Sequence, residues 1–177
     1  QSNALFLAVL VYCLCILLSN LASSAYHFLP LHDLRAKLRR FDHAAIYLSI
    51  TGTFTPFFVF ANTGWTLSLL AICWILTVLA IWNKLTNLEI NSWWSTASYL
   101  GLGVIGLGAL PHMTAAPQLT LWCVLAGCVC YVFGTIFYTR KCLPFRFSIW
   151  HSCVNLGGIF MFVGLWAALL EGPSSLG

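Results

Sequence analysis

The sequence predicts an all-α integral membrane protein, and three observations carry that prediction. Of 177 residues, 60% are hydrophobic and only 7% charged, against about 25% charged in an ordinary soluble domain. The mean hydropathy is +0.90. The apolar residues also fall in six runs, each near the 17 to 25 residues that a helix needs to cross a bilayer.

The runs are Ala4 to Ala22, Ala44 to Ala61, Trp65 to Trp82, Trp93 to Leu110, Leu119 to Tyr138 and Ser148 to Leu170. The first is full length, with no basic region before it and no small-residue cleavage site after it, so it reads as a span and not as a cleavable signal. The opening residues 1–4, "QSNA", are expected to be the remnant of an expression tag, leaving residues 5–177 as a single transmembrane domain. In the second run Pro56 interrupts the helical hydrogen bonding, and Thr51, Thr53 and Thr55 are placed to satisfy the freed backbone groups. The fourth carries Gly101, Gly103, Gly106 and Gly108, small residues that let helices approach in lipid. Trp65, Trp82, Trp93 and Trp94 stand at span ends, as interfacial anchors do.

Seven of the eight cysteines lie inside spans, where cysteine packs as a small apolar residue, and Cys142 lies in a loop. No disulfide framework is expected. Cys128 and Cys130 are two apart on a helix and point to different sides, so they do not form a metal pair.

The basic residues fix an orientation. Arg35, Lys37, Arg39 and Arg40 follow the first span, Lys84 the third, and Arg140, Lys141 and Arg146 the fifth, while the other loops carry none. Lysine and arginine collect on cytoplasmic loops, so these three loops are expected inside and both chain ends outside a plasma membrane. The net charge of +4 therefore requires no nucleic acid. The "RAKLRR" run reads as a clamp for anionic lipid, at about 1 kcal/mol per basic residue.

Ionisable groups at membrane depth are costly and mark candidate sites. His27 at the end of the first span, Asp42 before the second and His151 at the start of the sixth are all expected at the cytoplasmic end. Ser23 lies one helical turn before His27, and Asn155 one turn after His151. Two imidazoles and a carboxylate are a sufficient donor set for zinc. His32 and His43 are expected to face solvent, and His112 to lie in an outer loop.

The stretches "SSAYHFLP", "RRFDHAAIYLSITGTFTP" and "YVFGTIFYTRKCLPFRFSIWHSCVNLGG" closely resemble the hemolysin III family, the bacterial branch of the progestin and adiponectin receptor superfamily. The resemblance implies a seven-helix bundle with its N-terminus inside, of which the six runs would be helices two to seven. It also implies a Ser-x-x-x-His, here Ser23 and His27, an Asp, here Asp42, and a His-x-x-x-His, here Phe147 and His151. In the wider superfamily three histidines hold zinc, the Asp holds a zinc-bound water, and distant relatives are lipid-amide hydrolases.

Phe147 replaces one of those histidines. Either Asp42 completes a site of His27, His151 and Asp42, or the metal site is degenerate. The first alternative implies a zinc-dependent lipid amide or ester hydrolase with Ser23 and Asp42 as catalytic groups. The second implies a non-enzymatic sensor or homeostasis protein that binds a fatty acid or another membrane lipid. A pore-forming cytolysin is disfavoured, because the spans hold few polar residues to line a water-filled path.

Overall fold

The computed structural model describes residues 2–30, 32–86, 92–140 and 142–171; Gln1 of the expected tag remnant and Lys141 of the basic loop lie outside them. The described residues form six α-helices: α1 (Ser2–Phe28), α2 (Arg35–Ala61), α3 (Gly64–Thr86), α4 (Ser92–Leu107), α5 (Gln118–Thr139) and α6 (Arg146–Glu171). Residues 2–4 are helical and continuous with the rest of α1. Five of these segments are long and apolar enough to span a membrane. The fourth differs from the sequence expectation: α4 has 16 residues, about 24 Å at 1.5 Å per residue, shorter than the roughly 30 Å hydrocarbon core. It stops at Leu107 because the chain tightens there, with Gly108 and Ala109 donating to the Ile105 and Gly106 carbonyls. A 3-10 turn, Leu110–His112, follows and contains Pro111, which cannot continue an α-helix.

The chain divides into two compact units, residues 1–112 and 113–177. In the first, α2 is the central element and packs against α1, α3 and α4. Every residue from Thr51 to Phe58 is buried, whereas α1 and α3 turn most of their leucines outward. In lipid an exposed leucine costs nothing, so the residues turned inward are the small and polar ones. Thr66, Cys73, Thr77 and Lys84 form the buried stripe of α3, at spacings of seven, four and seven residues that keep them on one face.

Pro56 sits inside α2 without ending it. The nearby threonines do not take up the Gly52 carbonyl that a proline leaves without its usual donor. The Thr53 and Thr55 hydroxyls donate to the Ser49 and Thr51 carbonyls, each at 2.7 Å, and Thr51 pairs with Thr77 of α3 at 2.6 Å. Only two of the four glycines near the end of α4 serve close packing. A Cβ on Gly106 would meet the Phe54 ring at 2.4 Å and one on Gly108 would meet Leu69 at 2.7 Å, whereas Gly101 and Gly103 face open space.

The second unit is the pair α5 and α6. Their contact is made by small residues: a Cβ on Gly127 would stand 3.1 Å from the Gly157 carbonyl oxygen. Thr120 donates to the Gly164 carbonyl at 2.9 Å. All eight cysteines are free thiols, with Cys15, Cys73 and Cys123 buried in the helix contacts and Cys142 exposed.

Candidate functional site

The residues singled out by sequence fall in both units. Ser23, half-buried, and His27, exposed, stand in the last two turns of α1. The His27 ring meets Tyr26 edge-on at 4.7 Å, and the Arg35 guanidinium lies 5.4 Å over the Tyr26 ring. Asp42, half-buried, is in the third turn of α2. α1 ends at Phe28 and α2 begins at Arg35, and the two helices pack together, so the end of one and the start of the other lie at one end of the first unit.

His151 and Asn155 belong to the second unit, on α6, half-buried and exposed respectively. Phe147 occupies the turn before His151. Its ring is 48% exposed, lies edge-on to Tyr138 of α5 at 5.9 Å and carries the Arg146 guanidinium 4.6 Å from its centroid. Tyr138 also contacts Trp150 at 5.4 Å. The position that would supply an imidazole is thus part of an aromatic cluster capped by a cation.

As chemistry, two imidazoles and a carboxylate suffice for zinc. As geometry, the described residues do not supply a centre: no group of three or more His, Cys, Asp or Glu side chains stands together so as to hold a metal ion. The first unit brings His27 and Asp42 to one end, two donors where zinc takes at least three from protein.

The structure adds residues that sequence reasoning placed elsewhere. His43 is half-buried, its Nδ1 enclosed and without a hydrogen-bond partner among the described residues. The Tyr99 hydroxyl donates to the His43 carbonyl at 2.9 Å. Tyr47 pairs with Ser98 at 2.6 Å, and Ser98 donates to the Ser95 carbonyl at 2.8 Å. Lys84, read from sequence as a loop cation, is only 8% exposed and donates to the Ser95 hydroxyl. These residues make a polar corner where α2, α3 and α4 meet. The seven-residue step from Thr77 to Lys84 signalled it, because it continues the inward stripe of α3.

A family description, "Haemolysin-III related", matches residues 2–162. The chain belongs to the hemolysin III family. Among the curated relatives of this hemolysin III protein, the hemolysin-3 homolog of Bacillus subtilis (strain 168) is 36% identical over 149 residues, 82% of this chain and 70% of the relative. Hemolysin-3 of Bacillus cereus is 33% identical over 161 residues, 88% of this chain and 72% of that protein. No solved structure matches. With five span-length apolar helices, this hemolysin III family member is a multi-pass membrane protein.

Proposed function

We propose that this hemolysin III protein acts in the membrane by binding a fatty acid or another lipid, and that its metal site is degenerate. The setting of Phe147 carries the reading. A phenyl ring has no lone pair for a metal, and the guanidinium held on its face opposes a second cation beside it. The ring instead consolidates an apolar contact between α5 and α6 with Tyr138. The basic loops of "RAKLRR" and Arg140 to Arg146 support a cytoplasmic placement of that end of each unit in a plasma membrane.

Lipid extraction and mass spectrometry of the detergent-purified protein tests this. An acyl lipid retained through extensive washing is the expected result. Its complete absence would overturn the reading.

A second reading keeps zinc, held by His27, His151 and Asp42, in a lipid amide or ester hydrolase with Ser23 as a further catalytic group. It is favoured by one observation, the half-burial of the Asp42 carboxylate at the same end of its unit as Ser23 and His27. Metal content separates the two readings. The name of the Bacillus cereus relative speaks of hemolysis, but a pore needs hydroxyls turned to water. Here the buried hydroxyls of Thr51, Thr55, Thr77 and Thr120 are all bonded within or between helices.

A further inference from the structure

Lys84 lies in the last turn of α3, at the end of a long apolar helix, and is buried. A buried ammonium without an opposite charge is costly in a protein and in a bilayer. It has three N–H donors, one of which goes to the neutral Ser95 hydroxyl. Among the described residues it pairs with no carboxylate. The charge that acts on it is that of Arg39, of the same sign. The C-terminal dipole of α3 accounts for a cation at Lys84, but not for Arg39 beside it. Nor does it account for His43, on which Asp42 and both cations act and whose Nδ1 has no hydrogen-bond partner among the described residues. Among the described residues, two cations and an unsatisfied ring nitrogen stand against one carboxylate, Asp42, so this corner calls for a further anion.

The surroundings say where that anion comes from. Trp82, two residues before Lys84, is 70% exposed; Trp93 and Trp94, at the start of α4, are 70% and 67% exposed; and Phe41 on α2 is 54% exposed. Exposed tryptophans at span ends lie at headgroup level, so the corner stands at the depth of lipid phosphates. We propose that Lys84, with Arg39 and His43, forms a binding site for the phosphodiester headgroup of an anionic lipid at the meeting of α2, α3 and α4. In this arrangement Lys84 and Arg39 supply charge and His43 a hydrogen bond, while Ser95 fixes the ammonium. The site deepens the lipid-binding reading by naming the headgroup class. It does not depend on Phe147 or on any metal donor.

The test uses the full chain purified in a neutral detergent, incubated with phosphatidylglycerol, phosphatidylcholine or inorganic phosphate, and followed by thermal unfolding and by the lipid retained after washing. Phosphatidylglycerol is expected to raise the unfolding midpoint and to be retained at least about fivefold over phosphatidylcholine, the ratio that about 1 kcal/mol of charge attraction gives. Lys84→Met is expected to bring that ratio to parity. Without lipid it leaves the midpoint unchanged or higher, since an apolar side chain of similar length replaces an unpaired buried charge. Arg39→Gln, at an exposed position, is expected to shrink the ratio without touching the fold, and so serves if Lys84→Met does not fold.

A preference that survives both substitutions would overturn the site, as would inorganic phosphate giving the same stabilisation as phosphatidylglycerol. Equal retention of the two lipids would overturn the headgroup site and leave the lipid-binding reading standing. Retention of neither would overturn both.

Discussion

The hydroxyls of Thr51 and Thr77 meet at 2.6 Å, with both residues at 1% exposure or less. Leaving one buried hydroxyl without its partner costs about 1 to 2 kcal/mol. Thr77→Val is expected to lower the stability of the detergent-solubilised protein by that amount. Thr51→Val/Thr77→Val should recover most of the loss, because neither partner is then stranded. Equilibrium unfolding of the wild type, both single variants and the pair measures this as a double-mutant cycle, and strictly additive losses would contradict the pairing. At this scale the sequence was readable where residue types are unusual for a span. Ser23, His27, Asp42 and His151 stood out as motifs, and each lies within or beside the helix expected. Neither the burial of Lys84 nor the enclosed Nδ1 of half-buried His43 was readable, because a lysine after an apolar run looks like a loop cation. Its inward direction follows only from the register of Thr66, Cys73 and Thr77.

Among the helices, the apolar runs marked the five spans, but α1 runs on from the expected Ala22 to Phe28 and α2 begins at Arg35 instead of Ala44, because polar residues at the expected cytoplasmic side continue these helices beyond the apolar stretch. The fourth was overestimated. Its glycines and the residues up to Leu110 are apolar enough to read as membrane, but Pro111 and the tight turn at Gly108 end the helix at Leu107. Two of those glycines are contact points and two are not, a distinction set by which face α2 and α3 cover. Gly106→Leu is expected to destabilise by about 1 to 3 kcal/mol through overpacking against Phe54, and Gly101→Leu by no more than about 0.5 kcal/mol, as for a substitution facing open space. Unfolding in detergent distinguishes them; equal losses would contradict the packing of α4 on α2.

For the whole molecule, the division of basic residues among loops is the ground for the cytoplasmic placement proposed above, which needs α4, although only 16 residues long, to cross the membrane with the other five helices. Cys142, exposed in the loop between α5 and α6, is expected to resist a membrane-impermeant thiol reagent on intact cells and to react after permeabilisation. Labelling on intact cells would reverse the assigned sides. The family and the helical class were legible because motifs and hydropathy are local properties of the chain. Whether the chain holds a metal was left open by the sequence, and the proposal that it does not rests on the surroundings of Phe147, where the ring meets Tyr138 and Arg146.

Elemental mass spectrometry of the purified protein beside Phe147→His tests the proposal that Phe147 leaves zinc without enough ligands. Far less than one zinc per chain is expected in the wild type and about one in Phe147→His, where a third imidazole would restore the ligand number zinc requires. About one zinc per wild-type chain, lost in His27→Ala or His151→Ala, would contradict it and establish the two-histidine, one-carboxylate site instead.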